Sequence, residues 1–357
     1  MRSEVDPPAA AGSAVDPWLS LGEGSTPVLR VGARLPELAG GPTVWCKAEH
    51  LNPTGSYKDR LAARAVTIAT RTGLRGLLGT SSGNGGAAAA AYGARAGLPV
   101  CILTVPGAPA AKLATATAAG ARILPVEGLG ITPKETDRVF AEVLRLTQQL
   151  GLFPFITAWS YSPEMMHGAG EISIELAEQL PETDAVYVPV GGGGLLTSVW
   201  RGYQGLPGRT PRIVGVQPIG SATLLRASRG DLTPVERVTT SVSGLQVARL
   251  LDAAAAEAVT TTGGHVVEVS DEDVWAAQAA LATEGVVVEP AGAVALAGVL
   301  ADVRRGHLTE TDVAVTLATG AGWKDQAALE RISGPPVFTD PIGIDDLAQV
   351  LEQELSR

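Results

Sequence analysis

The chain has 357 residues, of which 45% are hydrophobic and 18% are charged, and its formal net charge is -10. This composition is typical of a globular protein with about two domains and excludes a disordered chain. The negative charge argues against a nucleic-acid or anionic-membrane surface, because those partners need clustered Lys and Arg. The two cysteines, Cys46 and Cys101, lie in apolar stretches and support neither a disulfide framework nor a cysteine-rich metal site.

The first segment, residues 1–20, is rich in Pro, Ala and Asp and is predicted to form a flexible tail. It contains no apolar core typical of a secretory signal, and no later apolar run reaches membrane-spanning length. We therefore expect a soluble, cytoplasmic protein with buried thiols and with neither a membrane nor a nucleic acid as its partner.

After the tail, short apolar runs alternate with helical patterns, which is the rhythm of a parallel sheet with helices on both faces. The first series predicts strands at 43–49, 74–80, 98–105 and 121–127, and helices from 57, from 85, at 110–119 and at 133–150. The second series predicts strands at 184–190, 211–218, 265–270 and 312–319, and helices after a glycine loop, at 272–284 and at 290–304. Ser270 and Asp273 stand in capping-box register. Two α/β lobes are therefore expected.

The run LNPTGSYKDRLAA, residues 51–63, joins turn residues to the start of a helix, with Ser56 as the predicted N-cap and Asp59 three positions later. Lys58 then lies in the first helical turn. The amino end of a helix carries partial positive charge, so an ammonium group is unfavourable there. Lys58 is therefore a candidate for an amine that works in its neutral form.

Four consecutive glycines, Gly191 to Gly194, separate a predicted strand from a helix in VPVGGGGLLTSVW. Such a loop lets backbone N–H groups converge beside a helix dipole, which favours a phosphate site over an ordinary tight turn. The next strand ends in Gln217 instead of an acidic residue, which argues against a dinucleotide. No Lys-Ser or Lys-Thr pair follows the glycines, which argues against a nucleotide P-loop.

Two further loops carry polar side chains beside glycines. GTSSGNGGAAAAA, residues 79–91, offers hydroxyls and N–H groups that suit a carboxylate, and Asn84 can bond a ring hydroxyl, although an ordinary helix cap fits as well. TLATGAGWKDQ, residues 316–326, places Thr319 where a hydroxyl could face a heteroaromatic nitrogen, with an incidental Thr in a glycine turn as the alternative. Lys324 and Asp325 are interpreted as a solvated or structural pair.

A lysine with a disfavoured charge, a phosphate loop, a carboxylate loop and a hydroxyl for a ring nitrogen together fit pyridoxal 5′-phosphate (PLP), with Lys58 bonded to its aldehyde. The same segments resemble those of threonine synthases and, more broadly, of PLP enzymes of the tryptophan-synthase-β type, fold type II. The resemblance extends in order over residues 20–327, through LGEGSTPVLR, LNPTGSYKDR, SSGNGGAAAAAYGARAGLPV, PVGGGGLL, ATEGVVVEPAGAVALAGV and TGAGWKD.

This resemblance implies a two-lobed α/β fold with parallel or mostly parallel twisted sheets and helices on both faces. We expect a large PLP-binding domain from 21–55 and 160–330, and a small substrate-side domain from 56–159. A C-terminal extension, 331–357, ends in an amphipathic helix that either caps the large lobe or joins a dimer interface.

The resemblance also implies the roles of site residues. Lys58 resembles the Schiff-base lysine, Asn84 the residue that faces the cofactor's 3-hydroxyl, and Thr319 the partner of the pyridine nitrogen. The phosphate loop corresponds to Gly191, Gly192, Gly193, Gly194 and Leu195. The substrate-carboxylate loop corresponds to Ser81, Ser82, Gly83 and Gly85.

Three positions depart from the threonine synthase pattern. Gly85 stands where those enzymes usually have Thr, Met165 where they have an Arg that helps to hold the substrate phosphate, and His167 where they have Glu. Loss of an Arg fork from a phosphate site is not a conservative change. Lys112 remains as a possible phosphate contact, and His167 has either a pocket role or a buried structural role.

The resemblance implies a PLP-dependent carbon-oxygen lyase that removes a Cβ or Cγ leaving group from an L-amino acid and then adds water. Threonine synthase is the first choice. A threonine/serine dehydratase or a β-replacement synthase, including one in specialised biosynthesis, is the alternative. A non-enzymatic module that binds PLP or another phosphate ligand is a third interpretation. We expect a homodimer, and no metal-ligand spacing is apparent in the sequence.

Overall fold

The computed structural model describes residues 16–355 except 82, 109 and 335–340, and of residues 110–112 it describes the backbone only. Most of the predicted N-terminal tail therefore lies outside the described residues. Among the described helices, none combines the length and the apolar character needed to cross a membrane.

Two sheets form the framework, and every strand pair in them is parallel except the first. The strands are β1 (Val28–Val31), β2 (Thr43–Lys47), β3 (Leu77–Thr80), β4 (Val100–Thr104), β5 (Arg122–Pro125), β6 (Phe153–Phe155), β7 (Ala185–Pro189), β8 (Arg212–Pro218), β9 (Val266–Val269) and β10 (Val313–Leu317). The larger sheet has the order β1-β2-β10-β7-β8-β9 and the smaller one β5-β4-β3-β6. The mixed α/β fold with mostly parallel sheets is as predicted.

Helices cover both sheets. They are α1 (Lys58–Arg71), α2 (Asn84–Ala96), α3 (Ala110–Ala118), α4 (Pro133–Leu150), α5 (Pro163–Gln179), α6 (Gly194–Gln204), α7 (Thr223–Ser228), α8 (Ala254–Thr261), α9 (Asp271–Thr283), α10 (Pro290–Arg304), α11 (Gln326–Ser333) and α12 (Leu347–Leu355). Helix α10 is apolar on all sides and is buried from Pro290 to Asp302, as expected of a helix enclosed by other elements.

The predicted strands and helices occur with ends shifted by at most a few residues, and the capping box of Ser270 and Asp273 is present. Strands β1 and β6 and helices α5, α7, α8 and α11 were not predicted from the pattern. Strands β3–β6 form the smaller sheet and the other described strands form the larger one; the division of the chain into domains stays a prediction.

The sequence leaves two placements open for the C-terminal helix, on the large lobe or in a dimer interface. Its residues Leu347 and Leu351, and Ile344 just before it, are exposed. No residue of α12 is buried. The apolar face of the helix is therefore open in the single chain.

Candidate active site

One cavity of about 690 Å³ lies beyond the carboxyl ends of strands from both sheets, where ligands bind in open α/β sheets. Most of the residues predicted to bind cofactor or substrate line it: Lys58, Ser81, Gly83, Asn84, Gly85, Gly191, Gly192, Gly193, Gly194, Leu195 and Thr319. These residues come from four separate loops, and the fold brings them together around one cavity.

Lys58 is held in place by the segment that carries Thr319. The Tyr57 N–H donates to the Thr319 carbonyl at 3.2 Å, and the Ala321 N–H donates to the Gly55 carbonyl at 2.9 Å. Between them, Ser56 forms an antiparallel bridge with Gly320. The half-buried Lys58 amine and the Thr319 side chain are therefore fixed on neighbouring pieces of backbone.

The predicted N-cap at Ser56 is wrong. Helix α1 begins at Lys58, and its cap residue Tyr57 has helical backbone angles and no capping side-chain hydrogen bond. The Ser56 hydroxyl is buried without a hydrogen-bond partner among the described residues. Asp59 instead accepts hydrogen bonds from the backbone N–H and the hydroxyl of Thr54. Burial outweighs these bonds and raises the pKa of Asp59 to about 6.

The glycine loop leads from β7 into α6, and helix α6 begins at Gly194 with Gly193 as its N-cap. Gly193 has φ +94°, and a Cβ there would lie 3.0 Å from the carbonyl of Asp252, so this position requires glycine. The carbonyl of Gly192 accepts from the N–H groups of Leu251 and Asp252. The loop is thus fixed from behind, with its N–H groups and the helix dipole available to an anion.

Asn84 begins helix α2 and donates from Nδ2 to Oε1 of Glu289 at 2.7 Å. Glu289 also donates its backbone N–H to the carbonyl of Gly320. A Cβ on Gly320 would lie 2.3 Å from the Glu289 carboxylate, so glycine at this position lets the three segments meet. Glu289 lines the cavity and was missed by the sequence argument, because it lies 205 residues from Asn84.

Lys324, interpreted from the sequence as part of a solvated or structural pair with Asp325, is a second amine on the cavity wall. Its ammonium donates to the carbonyl of Thr54 at 2.6 Å. Burial lowers the pKa of Lys324, and the charges of Glu289 and Asp59 oppose that shift. Asp325 accepts from the N–H of Ala328 and so caps helix α11. Among the described residues that line the cavity, Lys58 and Lys324 are the cations.

Some predicted substrate residues are not part of the described cavity wall. His167 lies on helix α5, where its ring packs edge-on against Trp159 with centroids 4.6 Å apart, and it does not line the cavity. Met165 is fully buried in the core. Ser82 and the side chain of Lys112 lie outside the described residues.

Behind the cavity, helix α1 is anchored by a buried ion network that the sequence did not reveal. Arg60 pairs with Glu49 at 2.8 Å and with Glu175 at 2.7 Å. Lys47 donates to the same Glu175 at 2.5 Å. Burial alone would raise the pKa of Glu175, but Arg60 and Lys47 outweigh it and lower the pKa to about 2.

The residues present fit PLP on two structural observations. The glycine loop leaves no room for a Cβ at Gly193 and directs a helix amino end at the cavity, which suits a phosphate. An amine, Lys58, lines the same cavity, where it can reach an aldehyde. The cavity volume of about 690 Å³ is within the range of cofactor sites.

Comparison with known proteins agrees with this geometry. A family model described as pyridoxal-phosphate dependent enzyme matches residues 19–320. The threonine synthase of Mycobacterium leprae is 34% identical over 344 residues, covering 92% of this chain and 91% of that protein. The threonine synthase of Methanosarcina acetivorans is 32% identical over 335 residues, covering 90% and 80%.

Among solved structures, the processed form of threonine deaminase isoform 2 from Solanum lycopersicum superimposes with a TM-score of 0.71. It is 25% identical in sequence and covers 86% of this chain and 87% of its own. The predictions of a fold type II architecture, of PLP as cofactor and of an enzyme with lyase activity are thereby confirmed. The chain belongs to the family of pyridoxal-phosphate dependent enzymes and is threonine synthase-like.

Proposed function

We propose that the chain removes a leaving group from Cγ of a phosphorylated L-amino acid and adds water, as a threonine synthase does. The observation that carries this proposal is the single cavity that unites Lys58, Asn84, the glycine loop and Thr319. Threonine synthases related over about nine-tenths of the chain support the choice of reaction.

The residues take the following parts. Lys58 Nζ would hold PLP through its aldehyde group, and the same amine is placed to take the α-proton of the substrate as general base. The N–H groups of Gly191 to Leu195 would bind the phosphate of PLP, and the Thr319 hydroxyl would be the partner of its ring nitrogen. PLP, when bound, supplies an electron sink for the bonds to the α-carbon.

Asn84 and the loop of Ser81, Gly83 and Gly85 orient the two reactants. Because Glu289 fixes one N–H of the Asn84 amide, the remaining polar atoms of that amide can face the 3-hydroxyl of the ring. The loop at Ser81 presents hydroxyl and N–H groups to the substrate carboxylate. Lys324 lines the same cavity, and its ammonium could neutralise an anionic leaving group.

A dehydratase or β-replacement activity is the second candidate, and a specific observation favours it. Met165 is fully buried where threonine synthases have a phosphate-binding Arg, and this position adds no charge to the cavity. The related deaminase fold from Solanum lycopersicum is consistent with this alternative. A substrate such as serine or threonine carries no phosphate and therefore needs no Arg side chain to bind one.

Borohydride reduction followed by peptide mapping tests the covalent lysine. We expect the reduced cofactor on the peptide that contains Lys58. The Lys324→Ala variant serves as a matched control, because its lysine lines the same cavity and its removal should leave the label in place. A label on any other residue would contradict the proposal.

Parallel assays distinguish the two reactions. Phosphate release and threonine formation from O-phosphohomoserine are measured beside keto-acid release from threonine and serine. We expect kcat/KM for O-phosphohomoserine to exceed kcat/KM for threonine or serine by at least ~10-fold. This ratio corresponds to about 1.4 kcal/mol of transition-state binding. Keto acid as the dominant product would favour the dehydratase, with the cofactor assignment intact.

The assembly and location of the protein belong to the same proposal. We infer a cytoplasmic homodimer in which the apolar face of α12, with Leu347 and Leu351 exposed, is buried between two copies. Sedimentation of the full chain and of a Leu347→Glu/Leu351→Glu variant tests it. The wild-type chain should sediment as a dimer and the variant as a monomer. A wild-type monomer would refute this part alone.

A further inference from the structure

Two histidines and a buried carboxylate meet on the side of the larger sheet away from the cavity. Asp302 lies in the last turn of α10, His265 immediately precedes β9, and His307 follows α10. The Asp302 Oδ2 atom lies 2.7 Å from His265 Nε2, and Oδ1 lies 3.1 Å from His307 Nδ1. The Tyr187 hydroxyl donates to Oδ2 at 2.7 Å. Three separate elements thus direct polar atoms at one point.

The charge of this cluster is unusual. The Asp302 side chain is 0% exposed, and among the described residues its ion-pair partners are the two histidines, which are charged only when protonated. A buried carboxylate is unfavourable without a cation beside it. The side chains of His265 and His307 are 33% and 52% exposed, so an ion from solvent can reach the carboxylate between them.

We propose that His265, Asp302 and His307 bind one divalent transition-metal ion, such as Zn²⁺. Their ligand atoms all lie within 4.8 Å of one another. Imidazole nitrogen and carboxylate oxygen are preferred zinc ligands, and three protein ligands leave a fourth tetrahedral position for water. Tyr187 supplies the outer hydrogen bond that typically orients a ligating carboxylate.

Binding requires only small rearrangements. Zinc ligands in a tetrahedral site lie roughly 3.3 Å apart, because each is about 2.0 Å from the metal. The two His-to-Asp contacts of 2.7 and 3.1 Å therefore open slightly. The ring nitrogens that now face the carboxylate must give up their protons to bind the ion, so each neutral ring changes tautomer and carries its proton on the other nitrogen, and no net proton is released.

The site is structural rather than catalytic. It lies at the amino end of β9, whereas the PLP cavity lies beyond the carboxyl ends of the strands, and none of its residues lines that cavity. A metal there ties β9 and α10 to Tyr187 on the central strand β7. The sequence did not suggest it, because His265 and Asp302 are 37 positions apart.

The test is Zn²⁺ binding to the PLP-loaded full chain, measured by competition with a chromophoric chelator and by the absorbance of Co²⁺ as a probe. We expect one ion per chain in the wild type. His307→Ala, which removes a half-exposed ligand, should weaken binding by at least ~10-fold, and Tyr187→Phe by about 10-fold. Zinc should raise the Tm of the wild type and not that of His307→Ala.

His50→Gln is the matched control, because it removes a histidine outside the cluster. It should keep the wild-type affinity. A wild-type chain that binds no Zn²⁺, or a His307→Ala variant that binds it as tightly as the wild type, would overturn the proposal. Far-ultraviolet circular dichroism of each variant confirms that the variants are folded.

Discussion

The two sides of helix α1 differ in how their charges are satisfied. On the inner side, Arg60 is fully buried and its guanidinium is shared between Glu49 and Glu175. On the outer side, the half-buried amine of Lys58 lies over the Tyr57 ring at 4.5 Å and faces the cavity. The inner charges hold the helix in place, and the outer amine of Lys58 remains available to a ligand in the cavity. Substitutions on the two sides should therefore affect different quantities.

The largest effect is expected at Lys58. Lys58→Ala should lower kcat by at least ~10²–10⁴-fold, because the general base is lost together with the covalent anchor. The unfolding free energy of the cofactor-free chain should stay constant or rise by about 0.3–1 kcal/mol, since a cation leaves a helix amino end. Enzyme assays and urea unfolding measure the two. A large loss of stability in Lys58→Ala would contradict the view that only the inner side of helix α1 stabilises the fold.

Arg60→Met tests the inner side. It leaves Glu49 and Glu175 buried without their main cation and should lower the unfolding free energy by about 3–5 kcal/mol. Adding Glu49→Gln and Glu175→Gln should recover part of that loss, because the uncompensated charges are then gone. Arg145→Met is the control: it breaks an exposed pair with Glu142 and should cause no measurable change.

The pH dependence sharpens the same comparison. The folded pKa of Glu175, about 2, lies below its ordinary value of 4.5. The ionised carboxylate therefore adds stability that is fully present above pH 4.5 and is lost as the pH falls toward 2. The unfolding free energy of the wild type should exceed that of Glu175→Gln by about 3 kcal/mol near neutral pH. This difference should become smaller below pH 4.5. Urea unfolding at several pH values measures this; a constant gap would contradict it.

The smallest expected effect is in the glycine loop. Gly193→Ala forces a side chain into a left-handed conformation 3.0 Å from a carbonyl, which costs about 1–3 kcal/mol. The free loop relieves this strain by leaving its phosphate-binding conformation, and binding must restore it, so the affinity for PLP should fall by a corresponding ~5–150-fold in an equilibrium titration. Gly205→Ala, at the other end of α6, meets nothing within 4 Å and should bind PLP normally. If both variants bound PLP with equal affinity, the glycine loop would not be the part of the chain that binds the phosphate.

The sequence predicted those features that depend on local pattern. The sequence predicts helix α4 at 133–150 and α10 at 290–304, and each begins with Pro at the first helical position; α4 also has a regular amphipathic pattern. The capping box at Ser270 is equally local. These elements needed no knowledge of the tertiary structure.

The rest depends on contacts between distant segments. The bond from Asn84 to Glu289 and the pair of Arg60 with Glu175 join residues 205 and 115 positions apart, and no spacing rule marks them. The predicted Ser56 cap failed because its backbone pairs with Gly320 instead. Tertiary pairing overrode a valid local signal at that position.

The bridge between Ser56 and Gly320 also determines when the PLP cavity can form during biosynthesis of the chain. Strand β10, which leaves the ribosome after both β2 and β7, must insert between these two strands before this bridge can form. Nascent chains that end before β10 therefore display Lys58 without its partner loop, and capture of the vitamin-derived cofactor must wait until β10 and the segment of Thr319 have been made.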